Sequence, residues 1–174
     1  MTDTNHIEID SLEKLVSDYV KENFSPIFTG GGFGLIGVIG IGTFNRFNAD
    51  TVNFSEHFEQ NKDESFSAML MRLITEGGEK NSTIYNRANI DRRHFSKIVN
   101  HDDYQPSKQT VLAFAIALKL GFEKTKALLA AAGFTLSNAN LADVIVSAFI
   151  ENKIFDVDLV NQILYKYDQP LLGG

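Results

Sequence analysis

The amino-acid sequence predicts a mostly α protein, in which a small N-terminal α/β or irregular Gly-rich segment precedes an all-helical remainder. Three observations predict this. From Phe66 to Tyr167, apolar residues recur at three- and four-residue intervals, the period of a helix with one buried face. Glycines at 77–78, 121 and 133 stand where those periodic runs stop. By contrast, residues 27–44 hold 7 Gly in 18 positions, a density that disfavours helix.

Taken in order, Asp10 reads as an N-cap with Glu13 three residues on. Leu12, Leu15, Val16, Tyr19 and Val20 then mark a helical face that ends near Ser25-Pro26. The uncharged stretch Phe24 to Asn45 is 22 residues long, enough to span a bilayer. Its glycines and acidic flanks favour one or two Gly-rich buried strands with tight turns instead. Residues 45–65 read as a polar connector, with a boundary near Asn61–Asp63. Three parts result: 1–62, 63–136 and a helical extension, 137–174.

Beyond that boundary, Phe66, Met69, Leu70, Leu73 and Ile74 define a helix stopped by Gly77-Gly78. Short helices are predicted over about 82–88 and 91–100. Ser107 caps a very apolar helix, KQTVLAFAIALKL, whose composition makes it the central buried one. Residues 123–132 form the next. Leu141, Val144, Ile145, Ala148 and Phe149 mark another amphipathic helix, and Leu159, Val160, Ile163, Leu164 and Tyr167 mark the last.

Charge and composition narrow the function. There is no Cys, so disulfides, thiol nucleophiles and Cys-ligated zinc are excluded. The first fifteen residues carry acids and no apolar run, a pattern that fits the cytoplasm better than export. The net charge is −6, but it is unevenly spread. Residues 1–62 hold 4 basic and 9 acidic residues, whereas 80–108 hold 6 basic and 3 acidic, a local +3. Gly32, Gly34 and Gly37 fit G-x-G-x-x-G, yet no clear strand precedes them and Gly40 and Gly42 spoil any helix that follows. His6, His57, His94 and His101 share no metal-ligand spacing, and no acid pair or nucleophile motif stands out. The chain is therefore expected to be non-enzymatic, without cofactor or metal.

The informative stretch is STIYNRANIDRRHFSKIVN, 82–100. Two short helices are separated by Asn89-Ile90-Asp91. Asn89 tolerates the positive φ that a tight turn needs, and Asp91 can cap the second helix. Ile90 and Phe95 can staple that helix from both sides of its cap. Phe95, Ile98 and Val99 form one face; Arg93, Ser96, Lys97 and Asn100 form the opposite one, flanked by Arg92 and His94. An apolar back and a donor-rich front suit a helix that enters the major groove of DNA. Arg87, Lys97 and Lys108 are placed to meet phosphates, and Ser82 through its backbone amide.

Residues 66–132 resemble the Cro/phage-repressor (xenobiotic-response-element type) helix-turn-helix family. The likeness rests on Ile84, Asn89-Ile90-Asp91, the FSKI run at 95–98, and Pro106-Ser107 before an apolar helix ending in Leu118, Leu120 and Gly121. It implies a λ-repressor-like fold and operator binding as a homodimer, with Asp91, Arg92, Arg93, Ser96, Lys97 and Asn100 on the DNA face. Where that family favours a small Ala, this chain has Tyr85, which must spread the two helices or turn outward. Residues 64–173 are also similar to a helical C-terminal module of Gram-positive bacterial multidomain proteins, through RANIDRRHFSKI, YQPSKQT and DQPLLG. That likeness implies a protein-interaction adaptor, defence- or stress-linked, without DNA binding. The leading expectation is a DNA-binding transcriptional regulator of bacterial or phage type, with the adaptor as the alternative.

Overall fold

The computed structural model describes residues 9–24, 64–101 and 104–174. The Gly-rich stretch, the connector up to residue 63, the boundary near residue 62 and the G-x-G-x-x-G match all lie outside them. Eight helices and no strand are found among the described residues. They are α1 (Ile9–Asn23), α2 (Phe66–Gly77), α3 (Asn81–Arg87), α4 (Arg92–Asn100), α5 (Lys108–Ala117), α6 (Phe122–Ala131), α7 (Leu141–Glu151) and α8 (Val157–Lys166). No helix among the described residues is long and apolar enough to cross a membrane.

Local chemistry accounts for most of the boundaries. Ser65, Asp91, Ser107, Asn140 and Asp156 each accept a backbone N–H of the helix they precede, satisfying amides that have no intrahelical partner. The first helix begins at Ile9, so Asp10 stands inside its first turn and not at its cap. At the C-terminal ends, Asn89, Lys119, Gly133, Lys153 and Asp168 all have positive φ. Each donates its N–H three residues back, and the following residue donates five back, as in Ile90 N–H to the Tyr85 carbonyl at 2.9 Å. This Schellman pairing closes five helices in one manner. The α3–α4, α5–α6 and α7–α8 corners therefore share one turn geometry.

The core is one cluster. As expected, α5 is buried on every side, from Thr110 to Ala117. Less expectedly, α7 is buried over eight consecutive residues, Asp143–Ile150. Its outer face is covered by α1, which sets Leu12 and Val16 against it. The contacts thus join α1 and the 137–174 stretch with 63–136 in one compact unit. A polar link fastens α1, where Glu13 pairs with Lys166 of α8, and the Tyr19 hydroxyl lies near the Glu151 carboxylate of α7. Burial and that carboxylate push the Tyr19 phenol up to about 12.

Candidate nucleic-acid interface

The α3–α4 corner is held from behind by aromatic packing. Phe66 of α2, Phe114 of α5, Phe95 of α4 and Tyr85 of α3 form a continuous row, with ring centroids 6.5, 6.1 and 5.3 Å apart. Tyr85 neither turns outward nor disrupts the corner; it lies half-buried on the Phe95 ring. Ile84, Ile90 and Ile98 complete the buried side, each at most 3% exposed. At the turn, Asn89 has φ 54°, the left-handed conformation its residue type permits at low cost.

The opposite side of α4 is open. Arg92, Arg93, Ser96, Lys97 and Asn100 are all exposed. Arg92, Arg93 and Ser96 line one shallow depression. None of the three cations Arg92, Arg93 and Lys97 has an acidic partner among the described residues. The equivalent helix of the second corner, α6, carries Lys126 paired with Glu123, and that of the third, α8, begins with Asp158 in its first turn. Of the three second helices, α4 has the front with the most unpaired positive charge.

Other sequence-nominated residues are used differently. Asp91 turns its carboxylate onto the backbone N–H groups of Arg93 and His94, at 2.7 and 3.0 Å. Those bonds, the His94 one foremost, hold its carboxyl below the usual range. It is a cap, and both bonds converge on its Oδ1. Arg87 does not reach the surface as a free cation. It grips Glu79 through two bonds of 3.0 and 2.6 Å and donates to the Ala117 carbonyl at 2.7 Å. The Glu79 bond raises its pKa further, and Arg87 in turn lowers that of Glu79. Lys108 is drawn inward to Asp143, 2.5 Å away, whose side chain is 3% exposed. Asp143 also accepts the Ser137 N–H at 2.9 Å. Arg87 and Lys108 are internal ties, and neither belongs to the α4 front. Ser82 is exposed in the first turn of α3.

Two residues on the front are pre-engaged. Asn100 folds its amide back onto the Ser96 carbonyl and hydroxyl, at 2.8 and 3.0 Å. Lys97 holds its ammonium 4.5 Å from the centre of the Tyr104 ring. The same Tyr104 places its hydroxyl oxygen 3.1 Å from His94 Nε2. Tyr104 was not foreseen as part of this surface. It stands in an irregular loop, where no periodicity points toward α4, and only its distance from Lys97 in space reveals it. Among the described residues no cluster of His, Asp or Glu is arranged to hold a metal.

Comparison with known proteins finds no matching family model, no matching curated relative and no matching solved structure.

Proposed function

We propose that the α3–α4 corner is a helix-turn-helix of the λ-repressor-like kind and that the protein is a DNA-binding regulator. The observation that carries this reading is the two-sided character of α4. Its back is locked into the aromatic row, and its front offers Arg92, Arg93 and Lys97 without acidic partners among the described residues. A helix of nine residues is about 13 Å long, close to the width of the major groove, about 12 Å. Arg93 and Ser96 face base edges in this reading, with Arg92 and Lys97 on flanking phosphates. Asn100 can present its amide to adenine by giving up its two bonds to Ser96. Asp91 caps the helix, and Arg87 and Lys108 tie the fold. One α4 covers a half-site, so binding as a homodimer is expected.

The test is selection of bound sequences from random duplex DNA, followed by titration of the enriched duplex at several salt concentrations. Affinity is expected to fall steeply with salt. Each of Arg92→Ala and Lys97→Ala should lower the salt slope by about one. Arg93→Ala should relax preference at one base pair, weakening binding by about 1–3 kcal/mol. If no sequence is enriched and the residual binding ignores Arg92, Arg93 and Lys97, the reading is wrong and a protein-binding adaptor takes its place.

A further inference from the structure

Beyond α8 the chain does not simply run off the fold. Asp168, at φ 53°, reverses it, and Gln169 donates its N–H to the Leu164 carbonyl at 2.9 Å. The segment 169–174 then lies across the molecule to the α3–α4 corner. Asn161 of α8 brackets Leu172 from both sides: its Oδ1 accepts the Leu172 N–H at 2.7 Å, and its Nδ2 donates to the Leu172 carbonyl at 3.1 Å. The Leu172 side chain is 6% exposed and belongs to the core. Thr110 of α5, 1% exposed, donates its hydroxyl to the Gly173 carbonyl at 3.2 Å.

The next two residues touch the corner itself. Gly173 has φ +115°, and a Cβ there would stand 3.1 Å from the Asn89 carbonyl oxygen. At Gly174 a Cβ would come within 2.5 Å of the His94 ring and 3.4 Å of Ile90. Gly173 is favoured there by its conformation, and a side chain at Gly174 would have to displace the His94 ring. The corner is held from a second direction as well, because the Asn89 amide donates to Asp158 of α8 at 2.7 Å. The residue that makes the turn, the residue before the cap and the first-turn histidine of α4 are thus all contacted by α8 or by the segment that follows it.

We infer that residues 169–174 are a strap that positions α4, with Asn161 and Gly173 as its positioning residues. α4 is short, and apart from Tyr104, which meets Lys97 and His94, its pose depends on its back and on the strap. The strap reaches it at the N-terminal end, next to Arg92 and Arg93. When the strap lets go, the 88–95 corner opens locally while α5, α6 and α7 stay packed. The structural part of this inference stands alone; its consequence for duplex binding rests on the function proposed above.

Amide hydrogen exchange on the full chain tests it. Two variants release the strap by different routes: Gly173→Val by steric clash, and Asn161→Ala by removal of the bracket. Asn161 is only half-buried, so this second variant folds even if the first does not. In both, exchange at Ile90 and Phe95 is expected to rise about tenfold, the loss expected for two modest hydrogen bonds, while Leu128 and Leu129 of α6 keep their rates. Leu171→Ser, at an exposed strap position, should change neither. Unchanged exchange at Ile90 and Phe95 in Asn161→Ala overturns the strap. So does an equal rise at Leu128 and Leu129, which would make the segment ordinary core. With duplex DNA, Asn161→Ala should keep the parent's affinity as long as the open corner stays a minor population, because only the binding-competent fraction scales the apparent Kd. A parent chain that binds no duplex would sink the proposed function and leave the exchange result to decide the strap.

Discussion

Lys108 and Asp143 show how a charged pair can read as surface chemistry and serve as structure. In the sequence, Lys108 is a cation just after a cap, at a natural phosphate-contact position. In the fold, its ammonium closes onto a carboxylate that is almost wholly buried. Removing the lysine would strand that carboxylate with the Ser137 N–H and little else. Lys108→Ala should therefore cost about 3 kcal/mol of stability, measured by denaturant unfolding, and leave duplex affinity per folded molecule unchanged. A loss of affinity at unchanged stability would instead return Lys108 to the binding face. Residue type was legible here and partner was not: Asp143 lies 35 positions away on another helix, beyond the reach of any local pattern. Arg87 repeats the lesson through Glu79 and the Ala117 carbonyl, while Arg92, Arg93, Ser96 and Lys97 are exposed as their spacing suggested.

Helix α4 was legible as an element because every signal for it is local. Asp91 caps it, Asn89 takes the left-handed turn, and Phe95 and Ile98 recur at the right interval to be buried. The two sister corners were less visible. Lys119 and Lys153 adopt the same left-handed conformation, which a lysine does not advertise. What fixes α4 in place is the aromatic row, and that row is assembled from four helices. Phe95→Ala should remove one of its two inner members and destabilise the protein by about 3–5 kcal/mol, read from the unfolding midpoint. The same change in a helix merely resting on the surface would cost well under that. Phe95→Leu, which keeps most of the volume, should recover the greater part of the loss.

At the scale of the whole molecule, α1 and α7 meet across more than a hundred residues of sequence. The amphipathic period of α1 announced that it needed an apolar partner, but α7 read as amphipathic too, and its burial over eight consecutive residues was not announced. Nothing in either stretch said that each was the other's answer. Their junction carries Tyr19, whose phenol is held neutral by burial and by Glu151 up to about 12. An unfolded tyrosine loses its proton near pH 10. Between pH 10 and 12 the folded state keeps a proton that the unfolded state has released, so stability falls as pH rises through that window. Alkaline titration followed by far-ultraviolet circular dichroism should show this loss, and Tyr19→Phe should abolish its pH-dependent part. A parent protein equally stable at both ends of the window would mean that the phenol ionises freely where it stands.

The placement of Gly174 also governs how the protein can be handled. Any residues joined downstream, whether an affinity tag, a fluorophore linker or a fused domain, must leave the surface beside the imidazole of His94. They would start their path within a few residues of the exposed guanidinium groups, where an acidic or bulky appendage could mask them.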